Sequence, residues 1–243
     1  MISFDAYDLI ALWEKENALS SAQRGLLLLA LANPEQSRQT LGAMTVGQRD
    51  RILLDMRRQL FGDQVEGIVH CSRCDETLEL CVSISDFLSV SAESSARASL
   101  RVGEIDITFR LPTVEDSLAV ERYGEHHEAR RSLLQGCILS ARRGGTSVDP
   151  QEIDDITLAR IARRMEEMDP LAEIQLTIIC TDCEHSESIL LDIVSYLWAE
   201  LHTEAERLLD EVRLLAAQYG WREMDIVAMT GQRRQFYLDR RAT

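Results

Sequence analysis

Lysine is nearly absent: Lys15 is the only one among 26 basic residues, against 41 acidic ones, and the formal net charge is −15 at pH 7. A chain of this sign is a poor general binder of polyanions, because affinity for phosphate backbones comes mainly from Lys and Arg neutralisation and counterion release. Nucleic acid is therefore not expected as a partner. Proline is scarce at four residues, aromatic residues make up 5%, and no low-complexity tract is long enough for disorder to be the default. The longest unbroken apolar run, Gly25 to Ala32, falls far short of the ~20 residues a bilayer span needs. A basic segment followed by an apolar one, the mark of an export signal, is also missing from the N-terminus. A soluble chain in a reducing compartment is expected. There is no Gly-rich phosphate loop, no G-x-S-x-G elbow and no His-Glu-x-x-His motif, and no carboxylate pair stands out for acid–base work. His126-His127 with Glu125 and Glu128 is no better as a centre, since neighbours on a helix point about 100° apart. Neither an enzyme nor a small-molecule substrate is expected.

What is present is 45% apolar residues over 243 positions, enough for one large domain or two small ones with a core of their own. Apolar residues recur at helical spacing from Asp5 to Ala32, with an interruption and N-cap at Ser20-Ser21, and again from Val46 to Leu60, with Gly62 as a C-cap. The period then falls to two. Leu78, Leu80, Val82 and Ile84 alternate with polar residues, and Leu100 to Leu111 reads as a hairpin turning at Gly103-Glu104. Thr113 to Arg143 and Asp155 to Met168 read as helices separated by the turn-rich 144–147 stretch. Glu173 to Ile179 and Ser188 to Ile193 read as strands, and Ser195 to Tyr219 as the longest helix, stopped by Gly220. Two short helices, divided at Thr230-Gly231, complete the tail. These patterns predict a helix-rich α+β chain: a helical module over 1–62, a β element with a helical excursion over 63–194, and a helical tail over 195–243.

Cys71-Ser72-Arg73-Cys74 and Cys180-Thr181-Asp182-Cys183 are the sharpest chemical signal. Each sits between strand-like stretches, as in zinc ribbons, where two tight turns place four thiolates on one closed tetrahedral ion. The units also match each other: Leu80, Val82, Ile84, Phe87 and Leu88 stand at the same offsets from Cys74 as Ile189, Leu191, Ile193, Tyr196 and Leu197 do from Cys183. This is the signature of an internal pseudo-repeat around one shared structural Zn2+ held by Cys71, Cys74, Cys180 and Cys183. Three other readings stay open: a disulfide within each pair, a redox Cys-x-x-Cys, and unliganded core thiols. Cys81 and Cys137 read as core fillers. His70 and His185 flank the knuckles as candidates for their surroundings.

Arg233-Arg234, Arg240-Arg241 and the aromatic residues Trp221, Phe236 and Tyr237 make the tail the candidate partner-binding region, since Trp, Tyr and Arg dominate interface energies. A family likeness joins these features. Leu12-Trp13-Glu14, Arg24 to Ala30, Val46 to Asp50, Leu60-Phe61-Gly62, both knuckles, and the end from Tyr219-Gly220-Trp221 to Arg233-Arg234-Gln235-Phe236-Tyr237-Leu238 together resemble baseplate proteins of contractile phage tails and related injection particles. Within these the likeness is to the T-even-type baseplate hub assembly chaperones. It implies a non-enzymatic protein, cytoplasmic in the producing cell, that binds other baseplate, hub or tail proteins. Whether it stays in the finished particle is left open. A zinc-ribbon adaptor acting on nucleic acid or transcription machinery is the alternative that the knuckles alone allow, and an enzyme using the thiols is a second.

Overall fold

The structure is a computed structural model that describes residues 5–15, 18–91, 95–121, 123 and 126–240. The chain begins with α1 (Ala6–Trp13), α2 (Ser21–Ala32), α3 (Arg38–Gly42) and α4 (Val46–Phe61). A first hairpin follows, β1 (Gln64–His70) with β2 (Thr77–Ser83), and turns directly into α5 (Ile84–Ser89). Next come β3 (Arg97–Val102), β4 (Ile105–Arg110), α6 (Val114–Val120), α7 (His126–Cys137), β5 (Ile138–Arg143) and β6 (Thr146–Ser147). The rest is α8 (Asp155–Met168), a second hairpin of β7 (Ile174–Ile179) and β8 (Ser186–Leu191), α9 (Ile193–Tyr219), α10 (Glu223–Val227) and α11 (Gly231–Asp239). The fold is α+β and helix-rich, with small antiparallel sheets ordered β1-β2, β3-β4-β5-β6 and β7-β8.

Local chemistry sets many of these boundaries. Ser20 and Thr45 cap α2 and α4, each in a reciprocal box with the Gln three residues on, and the Asp154 side chain caps α8. Gly62 and Gly220 follow α4 and α9 with φ of 91° and 69°, a region open to glycine at little steric cost. Gly103, with φ 59°, makes the first residue of the β3–β4 turn.

One expected helix is not there as read. Thr113 to Arg143 breaks into α6 and α7, and its last six residues form β5, which pairs with β4 across a bulge at Thr108/Phe109. Ile138 and Ala141 on that strand are buried in the core beneath the sheet. The turn at 144–145 therefore joins two strands rather than two helices, and both of its glycines have positive φ, as a tight hairpin loop requires. Leu133, Leu134, Cys137 and Ile138 continue one apolar stripe in sequence, so periodicity alone could not mark where the helix stopped.

Contacts group the chain into two compact units, residues 1–19 with 195–243 and residues 20–194. The helices of the first sixty residues, read from sequence as one module, are thus divided between them. In the first unit Leu208, Val212 and Leu215 of α9 form a core with Ile226 and Val227 of α10, packed by Leu9 and Ile10 of α1. In the second, the inner face of the four-stranded sheet packs on α7 and α8 around Phe109, Cys137, Ile161 and Met168, all fully buried.

Within the second unit α4 holds both hairpins at their bases. Arg57, 4% exposed, donates to the carbonyls of Gly62 at 2.9 Å and Gln64 at 2.5 Å, fixing the entry to β1. The Gly47 N–H donates to Asp169 Oδ2 at 3.0 Å in a buried contact, fixing the turn that leads to β7. Gly47 is required here, because a Cβ would run into the Asp169 carboxylate. Arg49 pairs with buried Asp50 at 2.7 Å, and burial, opposed by Arg49 and reinforced by Asp192 and Asp169, pushes the Asp50 carboxyl up to about 6.

Candidate metal centre

Each knuckle is a turn between two strands, built from the same hydrogen bonds. The Cys71 N–H donates to the Glu76 carbonyl at 2.9 Å and the Asp75 N–H to the Cys71 carbonyl at 2.9 Å. In the second, the Cys180 N–H donates to the His185 carbonyl at 2.9 Å and the Glu184 N–H to the Cys180 carbonyl at 3.0 Å. Asp75 and Glu184 take left-handed φ of 61° and 57°, a conformation that costs an L-residue roughly 1–2 kcal/mol. The likeness extends beyond the turns. Val65 and Ile174, six residues before Cys71 and Cys180, are buried, and Ile84 and Ile193, ten residues after Cys74 and Cys183, are buried at the strand-to-helix corners.

The four predicted sulfurs come together. All lie within 4.8 Å of one another, with Cys71 Sγ 3.7 Å from Cys183 Sγ and Cys74 Sγ 3.6 Å from Cys180 Sγ. The short pairs join the first cysteine of one knuckle to the second of the other, which is the relation a local two-fold axis produces. A tetrahedron with the ~2.3 Å metal–sulfur bonds usual for zinc has edges of ~3.8 Å, so the spacing fits a single ion. All four cysteines are free, and their shortest separations are far longer than a disulfide bond of ~2.05 Å.

Electrostatics point the same way. Backbone N–H groups of Arg73 and Cys74 directed at its sulfur draw the Cys71 thiol down to about 7. The Glu76 amide acts likewise on Cys74, but desolvation and the crowding sulfurs of Cys183, Cys180 and Cys71 outweigh it and push that thiol up to about 12. For Cys183, the His185 amide favours the thiolate, while desolvation and the Cys180 and Cys71 sulfurs leave the thiol raised. Four sulfurs this close resist joint ionisation unless a cation stands among them.

A link unread in the sequence ties the hairpins beside the cluster. The Ser72 N–H and hydroxyl both donate to Glu187 Oε2, at 3.2 and 2.9 Å, and hold that carboxyl below its usual range. Asp63 likewise closes the base of the first hairpin, accepting from the Ser83 hydroxyl and from the Ser85 N–H and hydroxyl. No pattern of spacing announces either contact.

A family model described as T4 bacteriophage base plate protein matches residues 25–198. The chain belongs to this family. The matched span of the baseplate chain contains both knuckles, α4 and the whole four-stranded sheet. No curated protein and no solved structure matches it. Among its described residues, no helix is long and apolar enough to cross a membrane.

The other residues singled out from sequence fall in different places in the baseplate chain. His70 ends β1 and His185 follows the second knuckle, and neither belongs to the four-sulfur cluster. Cys137 is buried, with its thiol pushed up to about 12 mainly by burial. Cys81, read as core, is exposed and donates to Gln64 Oε1 at 3.2 Å; it lies opposite Leu80 and Val82 on a two-stranded hairpin that has only one covered face. Glu125 and the side chain of His126 lie outside the described residues, as does Arg241. In the tail, Trp221 stacks on Tyr219 at 4.5 Å and meets Tyr237 edge-on at 4.8 Å. Arg234 pairs with Glu211 at 2.7 Å and donates to the Met229 carbonyl at 2.6 Å. Phe236 and Arg233 face solvent, and the Arg240 guanidinium lies 3.8 Å over the Phe236 ring.

Proposed function

We propose that this is a non-enzymatic structural or assembly protein of the baseplate or hub of a contractile phage tail or tail-like particle, stapled by one structural zinc ion. The observation that carries the reading is the family match over residues 25–198, whose span includes the four-cysteine cluster. Cys71, Cys74, Cys180 and Cys183 would hold the ion, and with every position taken by sulfur no site remains for a substrate or an activated water. When bound, zinc supplies a cross-link that the unfolded chain lacks. The backbone amides aimed at the Cys71, Cys74 and Cys183 sulfurs stabilise thiolates in place, and Arg57, Asp63 and Asp169 hold the hairpin bases.

The partners are other baseplate, hub or tail proteins, and the task is that of a hub assembly chaperone that works in the cytoplasm or stays in the particle. The proposed docking region is the tail around Trp221, Arg233, Arg234, Phe236 and Tyr237. Trp221, Tyr237 and Arg234 shape and brace it, and Arg233 and Phe236 present the contact.

Two measurements test this. The tagged chain is expressed in cells assembling particles, which are separated on a density gradient and imaged, alongside cells lacking it; co-migration, or tails stalled before the baseplate closes, supports the role. Complete tails without any trace of the chain, from both cell types, would refute it. Native mass spectrometry with metal analysis should give one zinc per chain, lost from a Cys71→Ser, Cys180→Ser variant.

A further inference from the structure

The four-stranded sheet is basic on an acidic molecule. Its strands carry five arginines and one carboxylate, Asp106, in a chain of net charge −15. Register puts most of them on one face. Ile105, Ile107, Phe109 and Ala141 point into the core, so Arg97, Ser99 and Arg101 of β3 share the opposite face with Thr108 and Arg110 of β4 and Arg142 of β5. Asp106 there stands across from Arg101 and Arg142, 3.7 Å from the former with both side chains largely exposed. Arg110 is held by Asp116. Arg97 and Arg142 are exposed and have no ion pair among the described residues.

One arrangement on this face works against the fold. Arg97 stands directly across from Arg110, and like charges opposite each other on a sheet are destabilising. Between them and Arg101 lies a hydroxyl pair, Ser99 Oγ and Thr108 Oγ1, 3.0 Å apart. The surface offers guanidinium forks around hydroxyl donors, a set suited to carboxylates. Its strands carry no aromatic residue on the outer side on which a nucleic-acid base could stack. Addition of a strand along β3 is hindered where it begins, because the Ser95 hydroxyl accepts from the Arg97 N–H and donates to the Arg97 carbonyl. The open face is therefore the usable surface, not the edge.

We propose that this outer face of the sheet docks a carboxylate-rich segment of a partner protein. Binding supplies counter-charge to Arg97 and Arg142, which have no ion pair among the described residues, and adds to the Asp116 carboxylate in offsetting the like charge across from Arg97. Its residues are distinct from those proposed for the tail docking region and from the four cysteines.

The test uses the full chain and a fluorescein-labelled oligoglutamate peptide, read by anisotropy at low and moderate salt. The face variant is Arg97→Glu with Arg142→Glu; the control, Arg163→Glu with Arg213→Glu, makes the same change in net charge on exposed helical positions. The face variant should bind about tenfold more weakly or worse, as for loss of complementary charge at an interface, while the control stays close to wild type. The face variant's thermal midpoint should stay close to wild type, since a glutamate opposite Arg110 removes one like-charge pair while a glutamate opposite Asp106 creates another; loss of binding through misfolding would instead lower it sharply. Three results overturn the proposal. One is no peptide binding by the wild type, or equal loss in both variants. Another is oligothymidylate of equal charge binding more tightly than the peptide and losing that binding in the face variant. The third is self-association in sedimentation that the face variant abolishes, which would make a second copy the occupant.

Discussion

Replacing Cys71 and Cys180 together by serine removes one ligand from each knuckle, and with it the cross-link the ion would provide. The magnitude follows from the chain path. The closest sulfurs belong to residues 112 and 106 positions apart, so the cross-link closes a loop of this length. On the chain-entropy relation for such closures the loss is about 5 kcal/mol. For a chain of this size 1 kcal/mol moves the thermal midpoint by roughly 2–4 °C, so a fall of about 10–20 °C is expected, matched by a strong chelator acting on the wild-type protein. The damage should also be local. Hydrogen exchange should rise over β1, β2, β7 and β8, whose register is held beside the cluster, while β4 and α8, anchored by wholly buried Ile107, Phe109, Ile161 and Met168, keep their protection. The reasoning fails if the variant and the chelated protein both hold the wild-type midpoint, or if exchange rises evenly through the sheet and α8.

Asp50 gives the molecule a second, acid-side signature. Its carboxyl is raised from 3.8 to about 6, so the folded state binds this proton more tightly than the unfolded one; the stability it contributes is full below about pH 4 and lost as pH rises through about 6. The shift corresponds to roughly 3 kcal/mol, and urea midpoints across this range should lose that component in Asp50→Asn. Gly47→Ala drives a methyl group into the Asp169 carboxylate and should cost about 1–3 kcal/mol or more; a variant with the wild-type urea midpoint would contradict the packing. Asp75→Gly and Glu184→Gly relieve left-handed φ and should leave stability unchanged or raise it by up to about 1 kcal/mol, whereas valine at either position should lower the urea midpoint. In the tail, Arg234→Ala leaves Glu211, only 17% exposed, unpaired, and should destabilise by about 2 kcal/mol or more. Phe236→Ala, at a ring 47% exposed, should leave stability unchanged and weaken capture of tail proteins; stable capture by that variant would remove Phe236 from the docking region.

Local chemistry was readable along the chain because it acts over a few residues. Ser20 caps the helix it precedes, Gly62 and Gly220 end the helices they follow, and Gly103 turns its hairpin. The knuckles were legible for the same reason: a turn that presents two thiolates needs Cys-x-x-Cys between strands, and equal offsets after Cys74 and Cys183 betray a repeated unit. Which surfaces met was not written in any window of the sequence. Ile138 became a strand because β4 offered an edge with a buried face, although its apolar stripe continued that of a helix. Cys81 alternates like a residue with a core to face, yet the two-stranded hairpin has no layer on that side. Arg234, grouped by sequence with Arg233, is tied to Glu211 on another helix. Asp169 reaches Gly47 across 122 residues. Capping, turn geometry and periodicity are properties of neighbours in the chain. Pairing, burial and charge partnership depend on which distant segments the packed core brings into contact, and only the tertiary structure decided those.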